Sequence, residues 1–233
     1  MQHARNLCAV VPVKQTGRGK QRLAGILSRQ QRTLLVQAML EDVLTALTQT
    51  SGIAAIVVAT ADRQIAAVAA RYGADVFEEA ANEGHSAAVA AAAVRLDASG
   101  CDMLALPADI PLVQSEDIAR LMHVHQTAAS GSSRAFSIVP ARDERGSNAI
   151  LCSPPRAIPL RFGEDSFFPH LAVAKERGIT PAVVKLPRIA LDIDTPDDLA
   201  LLMRERARTR THALLSAWGP ARSNAAGPNR FGA

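Results

Sequence analysis

The chain has 233 residues, 48% of them hydrophobic, with 26 Lys plus Arg against 22 Asp plus Glu and a formal net charge of +4. That length and apolar content can bury a full core in one domain. No apolar run approaches the roughly 18 residues of a membrane span and no signal-like stretch opens the chain, so a soluble cytoplasmic protein is expected.

The positive charge does not argue for nucleic acid. Six arginines and one glutamate fall from Arg204 onward, which leaves the preceding chain about one charge negative. Six Phe, one Tyr and one Trp also make no evident platform for stacked bases. The three cysteines, Cys8, Cys101 and Cys152, show no zinc or redox spacing and are expected to be reduced.

Taken in chain order, the pattern alternates strand and helix. An apolar run from Leu7 to Val13 reads as a strand, and Ser28 is placed to cap a helix reaching about Leu47, with Val36, Leu40, Val43, Leu44 and Leu47 on one face. "GIAAIVVAT" reads as a fully buried strand, "DRQIAAVAARYG" as a helix ended by Gly73, and "ADVFE" as a short strand. A helix over "SAAVAAAAVRL" and a strand at "MLALP" follow. Such alternation implies parallel pairing with right-handed crossovers, hence a doubly wound α/β sheet. Next come a helix from Ser115 to about Gln126, two strands flanking "RDERGS", a helix at "SFFPHLAVAKERG", a strand at "PAVVKLP" and a last helix from Pro196. The paired strands predict a small antiparallel insertion. The domain is expected to span 1–218, with an unstructured Gly- and Pro-rich tail over 219–233.

In an open parallel sheet, ligands gather outside the carboxyl ends of the strands. "VKQTGRGKQRL" follows the first strand there, with Lys14, Lys20 and Arg22 among glycines, but it has neither the dinucleotide nor the Walker spacing. Such a loop suits a polyphosphate, although a solvated basic surface gives the same composition. In "LALPADIPLV", Asp109 ends a strand between Pro107 and Pro111; it is either a ligand or a turn former. In "LDIDTPDDLALL", helix capping accounts for Thr195, Asp197 and Asp198, but not for Asp192 and Asp194, which precede the cap. Two carboxylate clusters facing a basic loop suit Mg²⁺ held with substrate phosphates. "FGEDSFFPH" places Gly163 and Ser166 at a helix start, where an anion or a simple N-cap both fit. His123 and His125, two apart on a helix, make a poor metal pair.

Together "VPVKQTGRGKQRL", "LPADIPLV", "RGSNAI", "FGEDSFFPH", "AKERG" and "LDIDTPDDL" resemble the CofC family of guanylyltransferases of coenzyme F-420 biosynthesis, from about Leu7 to Leu202. The resemblance implies a single nucleotidyltransferase domain of the glycosyltransferase A type. It implies transfer of GMP from GTP to a three-carbon phosphorylated acid, with the product passed to a deazaflavin-transferring enzyme. By the same resemblance Lys14, Lys20, Arg22, Gly84 and Ser86 would contact the nucleotide, and Lys20 and Asp109 would be catalytic. Asp109, Asp192 and Asp194 would bind Mg²⁺, while Ser147, Asn148, Gly163 and Ser166 would hold the acceptor.

Two departures bear on the acceptor. Gly146-Ser147-Asn148 stands where many members have Gly-Thr-Asn, and Gly84-His85-Ser86 where they have Gly-Leu-Asn. 3-Phospho-D-glycerate is therefore placed ahead of phosphoenolpyruvate and 2-phospho-L-lactate. The competing expectations are a molybdopterin or sugar-phosphate nucleotidyltransferase, and a non-catalytic nucleotide-binding regulatory domain.

Overall fold

The computed structural model describes residues 5–14, 20–78, 85–163 and 165–219. A seven-stranded sheet, ordered β3-β2-β1-β4-β6-β5-β7, organises them. The strands are β1 (Leu7–Pro12), β2 (Ile53–Ala59), β3 (Asp75–Phe77), β4 (Asp102–Ala105), β5 (Ala135–Pro140), β6 (Ser147–Ser153) and β7 (Ala182–Val183). The pairs β1–β2, β1–β4, β2–β3 and β5–β7 are parallel, whereas β6 runs antiparallel to both β4 and β5. The expected antiparallel hairpin is therefore β5–β6, with β6 inserted between β4 and β5 so that the whole set remains one sheet.

Strand alternation divides the core between the two sheet faces. Ala9, Val11, Leu104, Val139 and Leu151 point to one face, and Val10, Met103, Ala105, Phe136, Ile138 and Ile150 to the other. The first face is covered by α1 (Arg29–Gln49), α2 (Arg63–Arg71), α4 (Ser115–Ala129), α7 (Pro196–Arg204) and α8 (Arg210–Trp218). The second is covered by α3 (His85–Ala98) and α5 (Phe167–Glu176). A single-turn helix, α6 (Pro187–Ala190), leads toward the last acidic segment.

The helices form where the side chains can terminate them. Ser28 and Gln31 make a reciprocal capping box at the start of α1, and its apolar face, including Val36, Leu40, Val43, Leu44 and Leu47, is buried as the periodicity requires. Asp62 caps α2, and Gly73 takes the left-handed conformation that ends it, with φ of 68°.

Three expectations are revised. β2 is buried only toward its carboxyl end, since Ala54 is exposed. "PAVVKLP" yields only a two-residue strand, Ala182–Val183, and its last proline, Pro187, opens α6. A further helix, α8, follows the one expected to be last. The anchor of α8 lies far away in sequence: Asp42 of α1 accepts from the Arg210 and Thr211 N–H groups and from the Thr211 hydroxyl at 2.7, 2.9 and 2.6 Å. Gly84 and the residues after Gly219 lie outside the described residues.

Candidate active site

The loops after β1 and β4 and the segment before α7 meet at the carboxyl ends of these two central, parallel strands. Two main-chain links enforce this meeting. Leu106 N–H donates to Val10 carbonyl at 3.0 Å, and Ile193 N–H donates to Asp109 carbonyl at 3.0 Å. Asp109 and Asp194 are thereby brought to a common point, although they come from distant segments.

Lys20 sits between them. Its backbone is left-handed, φ 53°, at the start of a 3-10 turn over Gln21–Leu23, and its ammonium donates to Asp109 at 2.5 Å and Asp194 at 2.6 Å. The Lys20 side chain is only 8% exposed, against 27% for Asp109 and 43% for Asp194. Burial alone would lower the Lys20 pKa, but the charges of Asp109 and Asp194 outweigh it, and the pKa is raised. Lys20 is a fixed cation in this site.

Asp192 is disfavoured as an anion. Burial raises its pKa first, and the charges of Asp109 and Asp194 raise it further, against the lowering effect of a hydrogen bond from Asn148. Asn148, 6% exposed on β6, points its amide nitrogen at Ile189 carbonyl, Ala190 carbonyl and Asp192, at 3.0, 3.1 and 3.0 Å. It clamps the acidic segment to the sheet. Beyond Asp192, Asp198 accepts from the main-chain N–H groups of Asp194 and Thr195 and from the Thr195 hydroxyl. The capping box thus rigidifies the segment that carries the ligand candidates.

Two cavities share this acidic point. The smaller, about 420 Å³, is walled by Lys14, Lys20, Arg22, Pro107, Asp109 and Asp194. The larger, about 720 Å³, holds Lys14, Arg22, Asp109, Asp192 and Asp194 at one end and Ser86, Ser147, Asn148 and Gly163 elsewhere on its wall. The loop between β5 and β6 adds Arg142 and Arg145 to the larger cavity. Arg142 pairs with Asp198 at 3.3 Å, and Arg145 pairs with Asp165 through two nitrogens at 2.6 and 3.0 Å.

The remaining expected residues gather at the far wall. Ser166 does not cap α5 with its side chain; its hydroxyl donates to Ser147 at 3.1 Å. Ser86 lines the larger cavity and not the smaller, and its hydroxyl holds the Phe162 peptide, accepting from the N–H at 2.9 Å and donating to the carbonyl at 3.2 Å. Gly163, φ 142°, is open where a side chain would stand. The pair His123 and His125 splits as its spacing requires: His123 is exposed, and His125 is buried between the Ser137 and Ser153 hydroxyls at 2.8 Å each.

Sequence reasoning singled out neither Arg142 nor Arg145. The available signal was two arginines in a hairpin loop next to Gly146-Ser147-Asn148. Among the described residues no three His, Cys, Asp or Glu side chains form a ready-made metal cluster. The donor set nevertheless fits a hard cation, because oxygen ligands come from Asp109 and Asp194 with Asp192 adjacent, and such ions accept one or two carboxylates and complete their shell with phosphate and water.

Similarity to known proteins places the chain in a family and a fold. Residues 7–229 match the family described as guanylyl transferase CofC like. A phosphoenolpyruvate guanylyltransferase of Conexibacter woesei is 37% identical over 195 residues, covering 83% of this chain and 86% of the relative. A 3-phospho-D-glycerate guanylyltransferase of Colwellia psychrerythraea is also 37% identical, over 193 residues, covering 83% and 89%. Among solved structures, a cytidylyltransferase from Leptospira borgpetersenii superposes with a TM-score of 0.60 at 14% identity, covering 92% of this chain and 94% of that one. That likeness shows the nucleotidyltransferase fold.

Proposed function

This chain belongs to the CofC-like guanylyl transferase family, and from that premise we propose that it moves GMP from GTP to the phosphate of a three-carbon phosphorylated acid in coenzyme F-420 biosynthesis. The single observation that carries the assignment is the convergence of Lys20, Asp109 and Asp194 at the junction of two cavities. The smaller cavity takes the triphosphate against Lys14, Lys20 and Arg22. The larger takes the acid at Ser147 and Gly163, with Ser166 behind Ser147 and Asn148 on the same wall but committed to the acidic segment. The candidate acceptors are 3-phospho-D-glycerate and phosphoenolpyruvate, one named for each of the two relatives above, with 2-phospho-L-lactate as a third.

The acceptor's phosphate has a second pKa of about 6, so it is mostly dianionic at neutral pH and needs no general base to become nucleophilic. One of its oxygens bonds to the α-phosphorus of GTP as the bond from that phosphorus to the α,β-bridging oxygen breaks. Pyrophosphate departs with the bond's electrons. The protein's task is to bring two anions together and neutralise the leaving group, which is a matter of position and fixed charge. Lys20, Lys14 and Arg22 hold the phosphates from one side; Arg142 and Arg145 supply cationic charge at the acceptor side. Mg²⁺, when bound at Asp109 with Asp194 or Asp192, would add charge neutralisation at the reacting phosphates. Asn148 acts through the acidic segment it clamps.

The test is to incubate the protein with GTP and each of the three acids separately and to weigh the products. A guanylylated acid with release of pyrophosphate is expected for at least one. Asp109→Asn should keep the fold and abolish most metal-dependent pyrophosphate release; wild-type turnover in that variant would remove Asp109 from the mechanism.

A further inference from the structure

His170 is absent from the binding roles above, yet it is buried behind the acceptor wall with both ring nitrogens engaged. It is 3% exposed on α5, with Phe136 and Phe162 rings at centroid distances of 6.3 and 5.7 Å. Its Nε2 accepts from the Arg161 main-chain N–H at 3.0 Å, and its Nδ1 lies 3.1 Å from the Ser147 hydroxyl. A nitrogen that accepts from a peptide N–H carries no proton, so the neutral ring must be protonated at Nδ1. Burial keeps the ring neutral, lowering its pKa to about 4.

The tautomer decides where the Ser147 proton goes. Nδ1–H donates to the Ser147 oxygen, and Ser166 donates to the same oxygen at 3.1 Å. With both lone pairs engaged, Ser147 has only its own proton left to offer. Ser166 is buried at 5% and does not line the cavity, whereas Ser147 does. We infer that His170 is a positioning residue which, by fixing its tautomer on the Arg161 peptide, turns the Ser147 hydroxyl into an obligate donor aimed at an anionic oxygen of the acceptor.

The same ring anchors the Arg161 peptide while Ser86 anchors the next, so that Gly163 is presented to the cavity from a segment fixed twice. This wall can then give hydrogen bonds to an anion and rejects a ligand that must itself donate to Ser147. The inference rests on the acceptor site proposed above, and the experiment separates the two.

Steady-state KM for the acceptor and for GTP would be measured in Ser147→Ala, His170→Leu and His170→Asn, with thermal unfolding as a check of folding. Loss of a hydrogen bond to a charged group corresponds to about tenfold or more in binding. Ser147→Ala and His170→Leu are therefore expected to raise the acceptor KM by about that factor while the GTP KM stays put. Asn keeps an N–H at the Nδ1 position, and His170→Asn should recover most of the loss. If Ser147→Ala is impaired and His170→Leu is not, the positioning role is overturned and the acceptor site stands. Normal acceptor KM in both overturns the site itself. An equal rise in both KM values, or no recovery with Asn, reduces His170 to packing. Should the Leu variant fail to fold, the Asn variant decides alone: a near-native acceptor KM supports the role, and a loss equal to that of Ser147→Ala refutes it.

Discussion

Replacing Asn148 by aspartate changes one amide nitrogen into an oxygen at nearly constant volume, and the structure makes the outcome severe. The amide faces three acceptors, the carbonyls of Ile189 and Ala190 and the carboxylate of Asp192, all within 3.1 Å. Its two hydrogens supply about two hydrogen bonds, worth roughly 1–3 kcal/mol net together. The introduced carboxylate would in addition set a buried negative charge against Asp192, whose pKa burial and neighbouring carboxylates already raise. Taken with the cost of an uncompensated buried charge, the loss should be about 3–5 kcal/mol, a fall in Tm of about 10 °C for a chain of this size.

The pH dependence has a definite sign. Two facing carboxylates favour a shared proton, so the folded pKa of the pair lies above the unfolded value. The folded state then binds more protons, and the deficit must shrink as pH falls from about 8 to about 5. Thermal unfolding by circular dichroism at both pH values, beside Asn148→Ala as a control without the charge, measures this. A Tm within about 2 °C of wild type, or a deficit unchanged by pH, would refute the clamp.

Asp192→Asn should do the opposite to stability. It removes a charge that the fold resists while still accepting from Asn148, so Tm should rise at about pH 8 and the gain should fade toward about pH 4, with metal-dependent activity falling; a lower Tm at the alkaline end would contradict this. Lys20→Met removes the buried cation at the cavity junction and should raise the GTP KM by about tenfold or more, whereas an unchanged KM would return the loop to a surface role. Asp42→Ala leaves three donors of α8 without their acceptor, at a cost of about 3 kcal/mol. Because the only tryptophan, Trp218, ends α8 and packs on the core, its emission should shift red well before global unfolding; coincident transitions would argue against local release.

The legible part of the fold lies where local and global signals agree. Ser28 with the apolar stripe of α1, Thr195-Pro196 before α7, and the β5–β6 hairpin were readable because capping and periodicity act over a few residues. The acidic ligand candidates stood out because Asp192 and Asp194 serve no capping need. α8 was not legible: its start depends on Asp42, and no local pattern reveals that partner. The same holds for the site. Lys20 and the aspartates could be named from sequence, but the bridging of Asp109 and Asp194 by one ammonium could not. Nor could the use of Ser166 to support Ser147, or of Asn148 to clamp the Ile189–Asp192 segment, because these depend on distances between elements.

The bond from Ile193 N–H to Asp109 carbonyl has a consequence for how the enzyme is born. Strands β1 to β4 leave the ribosome first, with Lys20 and Asp109 in the loops that follow them, whereas Asp192 and Asp194 emerge only after β5, β6 and β7. A nascent chain ending before Ile193 therefore has Lys20 and Asp109 without the partner carboxylate of Asp194 and without the main-chain bond that fixes Asp109.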